Sequence, residues 1–135
     1  MGVIRIGRFD NFSGRNTLLL ETNQNGLVSL IDSIERVQRM SVPVALHELP
    51  EALSYGGVQC TAELHAEDRG LVEREVAAFT WRRSRTGWLD VVAKLRSLQG
   101  LHSPAHQYLD GPTDDLQVVL AVDEYGERWW KSQAG

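Results

Sequence analysis

Two segments of the chain, 61 residues apart, share the apolar spacing of a helix and the glycine and proline residues near its ends. The shift superposes a glycine, a glutamine and a proline: Gly26 on Gly87, Gln38 on Gln99 and Pro43 on Pro104. It also superposes four apolar positions: Leu30, Ile31, Ile34 and Val37 on Val91, Val92, Leu95 and Leu98. Any two amphipathic helices would share such a stripe, so the glycine and proline matches are the additional evidence for an internal repeat.

The apolar spacing predicts helices over residues 26–40 and 87–98. Asn23 or Asn25 is expected to cap the first helix, and Thr86 the second. Pro43 ends the first helix, because the residue before a proline disfavours the helical conformation.

Runs of β-type residues, several of them alternating apolar and polar, predict seven strands: 3–9, 17–21, 44–47, 58–64, 72–82, 105–109 and 116–122. Each half then runs strand, helix, strand, strand, with one extra strand leading the first half. We therefore predict one α+β domain over residues 1–135, a mostly antiparallel sheet with both helices packed on one face. Residues 124–135 are predicted to form a C-terminal exit segment.

Composition narrows the class of protein. The chain has 135 residues, of which 42% are apolar and 24% charged, enough to bury the core of a single domain. Charges lie within the first ten residues and no long apolar run occurs, so we expect neither a signal peptide nor a membrane span. One cysteine, Cys60, excludes a disulfide framework. A soluble cytoplasmic protein without membrane contact is expected.

Charge is unevenly distributed along the chain, whose net charge is −4. Residues 69–96 hold seven basic and three acidic residues, whereas residues 104–135 hold six acidic and two basic ones. The overall acidity disfavours nucleic acid as the main partner. The two blocks of opposite sign would steer a partner or pair two copies of the chain.

The chemistry-bearing residues form no strong motif. His47, His65 and Glu63 contain zinc-type donors, but no local ligand spacing supports a metal site, and no metal or cofactor is predicted. Cys60 falls on the apolar side of its strand, which predicts an inert thiol. Neither a nucleophile elbow nor a phosphate-binding loop is present, so an enzyme is not favoured.

The aromatic residues near the C-terminus indicate a binding surface more clearly than the preceding residues indicate catalysis. Trp129 and Trp130 are adjacent, and if this segment is extended they cannot both face one core. At least one ring is then offered to solvent or a partner; alternatively, the tail folds back and both rings lie on the sheet. The candidate interface residues are three aromatic and three acidic side chains: Trp129, Trp130, Tyr125, Asp110, Asp114 and Asp115. The three aspartates also suit a turn around Gly111.

The segment His106–Gly126, HQYLDGPTDDLQVVLAVDEYG, resembles the ends of small, uncharacterised bacterial α+β proteins. In these an H-x-Y-L-D strand precedes an apolar strand and an acidic D-E-Y turn. Several such proteins resemble immunity proteins of bacterial toxin systems, which act by binding. The resemblance implies no catalytic residue; it implies an acidic surface suited to a basic toxin.

The residues and the resemblance together predict a non-enzymatic bacterial protein-binding module, immunity-like in function. Its partner would be another protein or a second copy in a homodimer. The alternative is a small-ligand-binding protein or enzyme with a pocket between sheet and helices. His47, His65 and His106 are the polar candidates for that pocket.

Overall fold

The computed structural model describes residues 1–12, 14–111, 114 and 116–134. Within them the chain is α+β, as predicted, with nine strands and three helices. The strands are β1 (Ile4–Phe12), β2 (Arg15–Thr22), β3 (Val44–Ala45), β4 (Ala52–Ser54), β5 (Gln59–Leu64), β6 (Gly70–Glu75), β7 (Ala78–Arg83), β8 (Ala105–Tyr108) and β9 (Gln117–Val122). The helices are α1 (Gln24–Met40), α2 (Arg85–Arg96) and α3 (Gly126–Ala134). None of these helices is long and apolar enough to cross a membrane.

The strands form two sheets, so the prediction of a single sheet is wrong. Sheet A has the order β4-β1-β2-β9-β8 and sheet B the order β3-β5-β7-β6. Strand β2 pairs in parallel with β9, and β7 pairs in parallel with β5. Each sheet thus joins a hairpin from one half of the chain to strands from the other half. Of the five other ladders in the described residues, β1–β4 is parallel and four are antiparallel.

The predicted long strand 72–82 is also wrong, because it is a hairpin. Strands β6 and β7 pair antiparallel and the chain reverses at Val76 and Ala77. Ala77 has a φ of 63°, which glycine or asparagine usually supplies, and its N–H donates to Oε2 of Glu73 at 2.9 Å. The turn therefore carries no ordinary turn residue.

Three shorter segments differ from the prediction as well. Strand β4 lies between the predicted strands 44–47 and 58–64, where the sequence predicts no strand, and it pairs in parallel with β1. The predicted strand 44–47 is the two-residue β3 followed by a 3-10 turn over Leu46–Glu48. Most of the predicted exit segment is helix α3, which has no counterpart in the prediction.

The main core lies against the inner faces of both sheets. Helices α1 and α2 bury their apolar stripes in this one cluster, together with inward residues of β1, β2, β5, β6, β7 and β9. Trp81 of β7 meets Trp88 of α2 edge-on, with ring centroids 4.9 Å apart. The interior between sheets and helices is thus filled by packed side chains.

The two glycines matched by the 61-residue shift have the same place in the fold. Asn23 caps α1 by accepting from Gly26 N at 2.8 Å, and Ser84, not Thr86, caps α2 by accepting from Gly87 N at 3.1 Å. A Cβ on Gly26 would lie 2.0 Å from the carbonyl oxygen of Val3; one on Gly87 would lie 2.1 Å from Oδ1 of Asp68. The start of α1 therefore requires glycine, whereas at Gly87 the Asp68 side chain would have to move. An origin of the halves by duplication stays a hypothesis.

Candidate functional site: an aromatic cluster on sheet A

The outer face of sheet A carries a second core cluster. Strands β2 and β9 are buried on both faces, which explains their continuous apolar runs. Their outward residues Leu19, Val119 and Ala121 pack with Trp130 of α3. The C-terminal segment is therefore docked on the sheet as a helix.

The carboxylate of Glu21 holds α3 in place. Glu21 is 1% exposed and lies on the outer face of β2. Its oxygens accept four hydrogen bonds: from the backbone N–H groups of Glu124 (2.9 Å), Tyr125 (2.5 Å) and Gly126 (3.0 Å), and from the indole N–H of Trp130 (2.7 Å). A buried anion at a helix start, with its acceptors filled by N–H groups, is well stabilised. Glu21 was not singled out from the sequence.

Six aromatic residues surround this anchor, and we call them the aromatic cluster: Phe9, Phe12, Tyr55, Tyr125, Trp129 and Trp130. Trp130 is fully buried, between Phe9 at 5.4 Å and Tyr55 at 4.9 Å. Trp129 is half-buried, 5.5 Å from Trp130 and nearly perpendicular to it. Both rings contact the same face because the segment is helical, not extended. The tail folds back, as in the second of the two sequence-based alternatives.

The outer part of the cluster is a group of three half-buried rings, which we call the aromatic triad: Phe12, Tyr125 and Trp129. Ring centroids lie 4.5 Å apart for Tyr125 and Trp129, 5.9 Å for Phe12 and Tyr125, and 6.2 Å for Phe12 and Trp129. Such tilted and edge-on contacts are favourable aromatic geometries. Each ring is held by its neighbours and still offers part of its surface to solvent.

The hydroxyl of Tyr125 stays protonated at neutral pH. Burial raises its pKa above the ordinary value of 10.0, and the negative charges of Glu124 and Glu21 and the nearby Tyr108 raise it further. A protonated phenol at the rim of an apolar patch is a hydrogen-bond donor for a partner.

Two of the predicted interface acids instead fix the loop between β8 and β9. The carboxylate of Asp110 accepts from Val118 N at 3.2 Å and lies 3.7 Å from Arg15. The side chain of Asp114 is fully buried and accepts from Leu71 N at 2.8 Å and Gly111 N at 2.9 Å. The third acid, Asp115, lies outside the described residues.

Asp114 also forms a buried ion pair that joins the two sheets. Arg83 of β7 is 7% exposed in its side chain and donates to Oδ2 of Asp114 at 3.1 Å and to the carbonyl of Leu109 at 2.9 Å. A basic residue of sheet B is thereby neutralised by an acid of the C-terminal half. The opposed charge blocks of the sequence are partly paired inside the molecule.

The three histidines proposed for a pocket lie in three different places. Nδ1 of His47 accepts from Cys60 N at 3.0 Å and so extends the edge of β5 beyond β3. His65 follows the far end of β5, roughly 16 Å along the strand at 3.3 Å per residue. His106, on β8 of sheet A, contacts Glu124 at 3.2 Å. The structure does not bring them together.

Burial raises the pKa of the Cys60 thiol to about 12, which makes it a poor nucleophile. Among the residues that the structure describes, no three His, Cys, Asp or Glu side chains are grouped as a metal ion requires. The aromatic triad combines mutual ring contact with partial exposure, as binding surfaces do.

Comparison with protein-family models, curated proteins and solved structures finds no match to this chain.

Proposed function

We propose that the chain is a non-enzymatic protein-binding module whose partner contacts the aromatic triad. One observation carries the proposal: Phe12 of β1, Tyr125 and Trp129 of α3 are in mutual contact and half-exposed, and the buried Glu21 carboxylate holds Tyr125 and the start of α3 in place. Tryptophan and tyrosine dominate the binding energy of protein interfaces. Rings that are already ordered lose little side-chain entropy on binding.

An immunity-like role in a bacterial cytoplasm is the setting that we propose, and the resemblance of residues 106–126 supports it. That segment supplies β8, β9 and Tyr125, and so builds one side of the triad. Three acids lie beside Tyr125 and Trp129 along the chain: Asp123, Glu124 and Glu127. Glu124 contacts His106 and Glu127 contacts Lys131, both within 3.2 Å. Two of these acids are therefore already paired within the chain. The proposal depends more on the apolar surface of the triad than on the acidic surface expected for binding a basic toxin.

A different protein fits the triad better than a second copy of the chain. Homodimer formation was expected from the opposed charge blocks, but Arg83 and Asp114, one from each block, already pair within the molecule. Asp110 of the acidic block likewise lies 3.7 Å from Arg15 of β2, which is outside the basic block. This internal pairing reduces the charge available for self-association.

The alternative function, a ligand or substrate pocket between sheet and helices, has less support. That space is occupied by the main core, including the fully buried Trp88 and Leu95 of α2. The histidines meant to line it are dispersed.

The proposal is tested by site-specific photo-crosslinking in the native host. One variant carries p-benzoylphenylalanine in place of Trp129, and a matched control carries it in place of Leu89, an exposed apolar residue of α2 that is 52% accessible. The proposal expects a discrete adduct with another protein at position 129 and none at position 89. An adduct of twice the chain's mass would assign the surface to a homodimer, and the same adducts from both positions would overturn a specific site.

A further inference from the structure

The outer face of sheet B holds a basic hollow that is separate from the aromatic triad. Its volume is about 410 Å³, within the usual range of ligand sites. Its lining consists of His65, Arg69, Val72, Arg74, Thr80 and Arg82. Three guanidinium groups and one hydroxyl thus border a single depression, and its lining contains no carboxylate.

The strand registers explain why these side chains converge. Val72 of β6 lies directly opposite Thr80 of β7, and Arg74 and Arg82 are each two residues further along their strands. Residues two apart on a regular strand share a face, so Val72, Thr80 and Arg82 project from the same side of the sheet. The register shifts between Glu73 and Glu75, so Arg74 lies at an irregularity, and its hydrogen bond to Thr80 brings its side chain to that side. Arg82 faces Gly70, which contributes no side chain and leaves room above the ladder.

Two of the arginines are oriented by bonds that leave their terminal nitrogens available. Nε of Arg74 donates to the hydroxyl of Thr80 at 3.0 Å, and Nε of Arg82 donates to Glu63 at 2.9 Å. Within the described part of the chain, the terminal nitrogens of Arg74 and Arg82 have no hydrogen-bond acceptor. A guanidinium held at Nε presents two parallel N–H groups, the geometry that phosphoryl oxygens accept.

The charge around the hollow favours an anion. Glu63 pairs with Arg82, and Glu67 approaches Arg69 at 3.2 Å, so the two acids balance two of the three arginines. The Arg69–Glu67 contact is exposed on both sides, and such pairs exchange readily for a ligand. No carboxylate of the described residues lies within ion-pair distance of Arg74. The hollow retains a net positive charge centred on Arg74.

We propose that this hollow binds the phosphoryl group of a small phosphorylated molecule. A phosphoryl group offers several acceptor oxygens and about two negative charges, which match the paired guanidinium edges better than a single carboxylate does. Nucleic acid fits less well, because the lining contains no Phe, Tyr or Trp side chain on which a base would stack. Val72, 46% exposed at the centre, provides the apolar contact for the rest of the ligand.

The test is titration of the full chain with pyrophosphate in a phosphate-free, low-salt buffer, followed by calorimetry and by amide NMR shifts. Arg74→Gln removes the central charge from an exposed position, and Arg36→Gln removes the same charge from the exposed face of α1 as a matched control. We expect saturable binding with shifts at Val72 and Thr80. Arg74→Gln should weaken it about tenfold or more, since a hydrogen bond to a charged group is lost. Arg36→Gln should leave it unchanged.

Other ligands distinguish the competing assignments. A short thymidine oligonucleotide and a glutamate-rich peptide are titrated in parallel. Binding of either one in preference to pyrophosphate would overturn the proposal in favour of nucleic acid or of a protein carboxylate. Absence of saturable pyrophosphate binding, or equal weakening by Arg74→Gln and Arg36→Gln, would overturn it as well.

Discussion

The indole N–H of Trp130 donates to Oε1 of Glu21 at 2.7 Å, across 109 residues of chain. Both groups are buried on the outer face of sheet A. This bond joins the C-terminal helix α3 to the second strand β2. It fixes Trp130, whose ring contacts Trp129 of the aromatic triad. The position of Trp129 and Tyr125 therefore depends on a residue near the other end of the sequence.

Glu21→Gln should destabilise the protein strongly. The amide has one acceptor oxygen and places an NH₂ group against donors, so several buried N–H groups lose their partner. We expect a loss of about 3 kcal/mol in the free energy of unfolding, as for other broken buried charge networks. Urea denaturation followed by tryptophan fluorescence measures it. Glu127→Gln, at an exposed position of α3, is the control; equal effects of the two changes would refute the anchor.

Asp114→Asn should also cost about 3 kcal/mol or more, because it leaves the buried Arg83 with only Asp68, at 4.0 Å, as a counter-charge. Asp10→Asn, at a side chain 72% exposed, provides the matched change and should have little effect. The measurement is the urea midpoint of each variant. A midpoint for Asp114→Asn at the wild-type value would show that the pair does not join the sheets.

The free energy of unfolding at alkaline pH should depend on the ionisation of the buried Cys60 thiol. Its pKa is about 12 in the folded chain against 9.0 in the reference state, so the unfolded chain releases this proton first as the pH rises. Stability from this group is therefore complete below pH 9 and decreases from there towards pH 12, by about 2–3 kcal/mol at pH 11. Cys60→Ala should remove this part of the pH dependence in urea titrations. An unchanged alkaline slope in that variant would contradict the assignment.

Gly26→Ala should destabilise the chain by roughly 2–3 kcal/mol and Gly87→Ala by about 1 kcal/mol, since the added methyl group meets backbone at Gly26 and a movable side chain at Gly87. The effect at Gly26 should be the larger, because backbone is less able to move than the Asp68 side chain. Thermal unfolding of both variants checks this order. Asn25→Ala, at an exposed residue of the same turn, is the control, and a comparable loss there would count against the close-approach argument.

The α+β class and the first two helices could be predicted because their signals are local. The stripe from Leu27 to Val37 and the proline at 43 placed α1 to within two residues at its start. The β6–β7 hairpin could not, because Val76 and Ala77 carry no turn preference. The division into two sheets depends on parallel pairing between strands far apart in sequence, which no local pattern reports.

The candidate site, too, could be predicted only in part from local sequence patterns. The sequence makes Trp129 and Trp130 interface candidates, because adjacent residues of an extended segment cannot both face one core and tryptophan is enriched at binding hot spots; Tyr125 is a candidate beside them. Phe12 and Glu21 were missed, since their roles arise only when β1 and β2 meet α3. Asp110 and Asp114 were read both as turn residues and as interface acids, and the structure places them in the loop as turn residues.

The most direct test of the protein-binding proposal is the affinity of the photo-captured partner for Trp129→Ala compared with Leu89→Ala. Both substitutions shorten a partly exposed apolar side chain, and urea denaturation corrects for any loss of folded protein. The account predicts that Trp129→Ala raises the Kd by about 30-fold, the effect of a hot-spot residue worth about 2 kcal/mol, while Leu89→Ala leaves it unchanged. Equal affinities for the two folded variants would contradict the assignment of the aromatic triad as the binding surface.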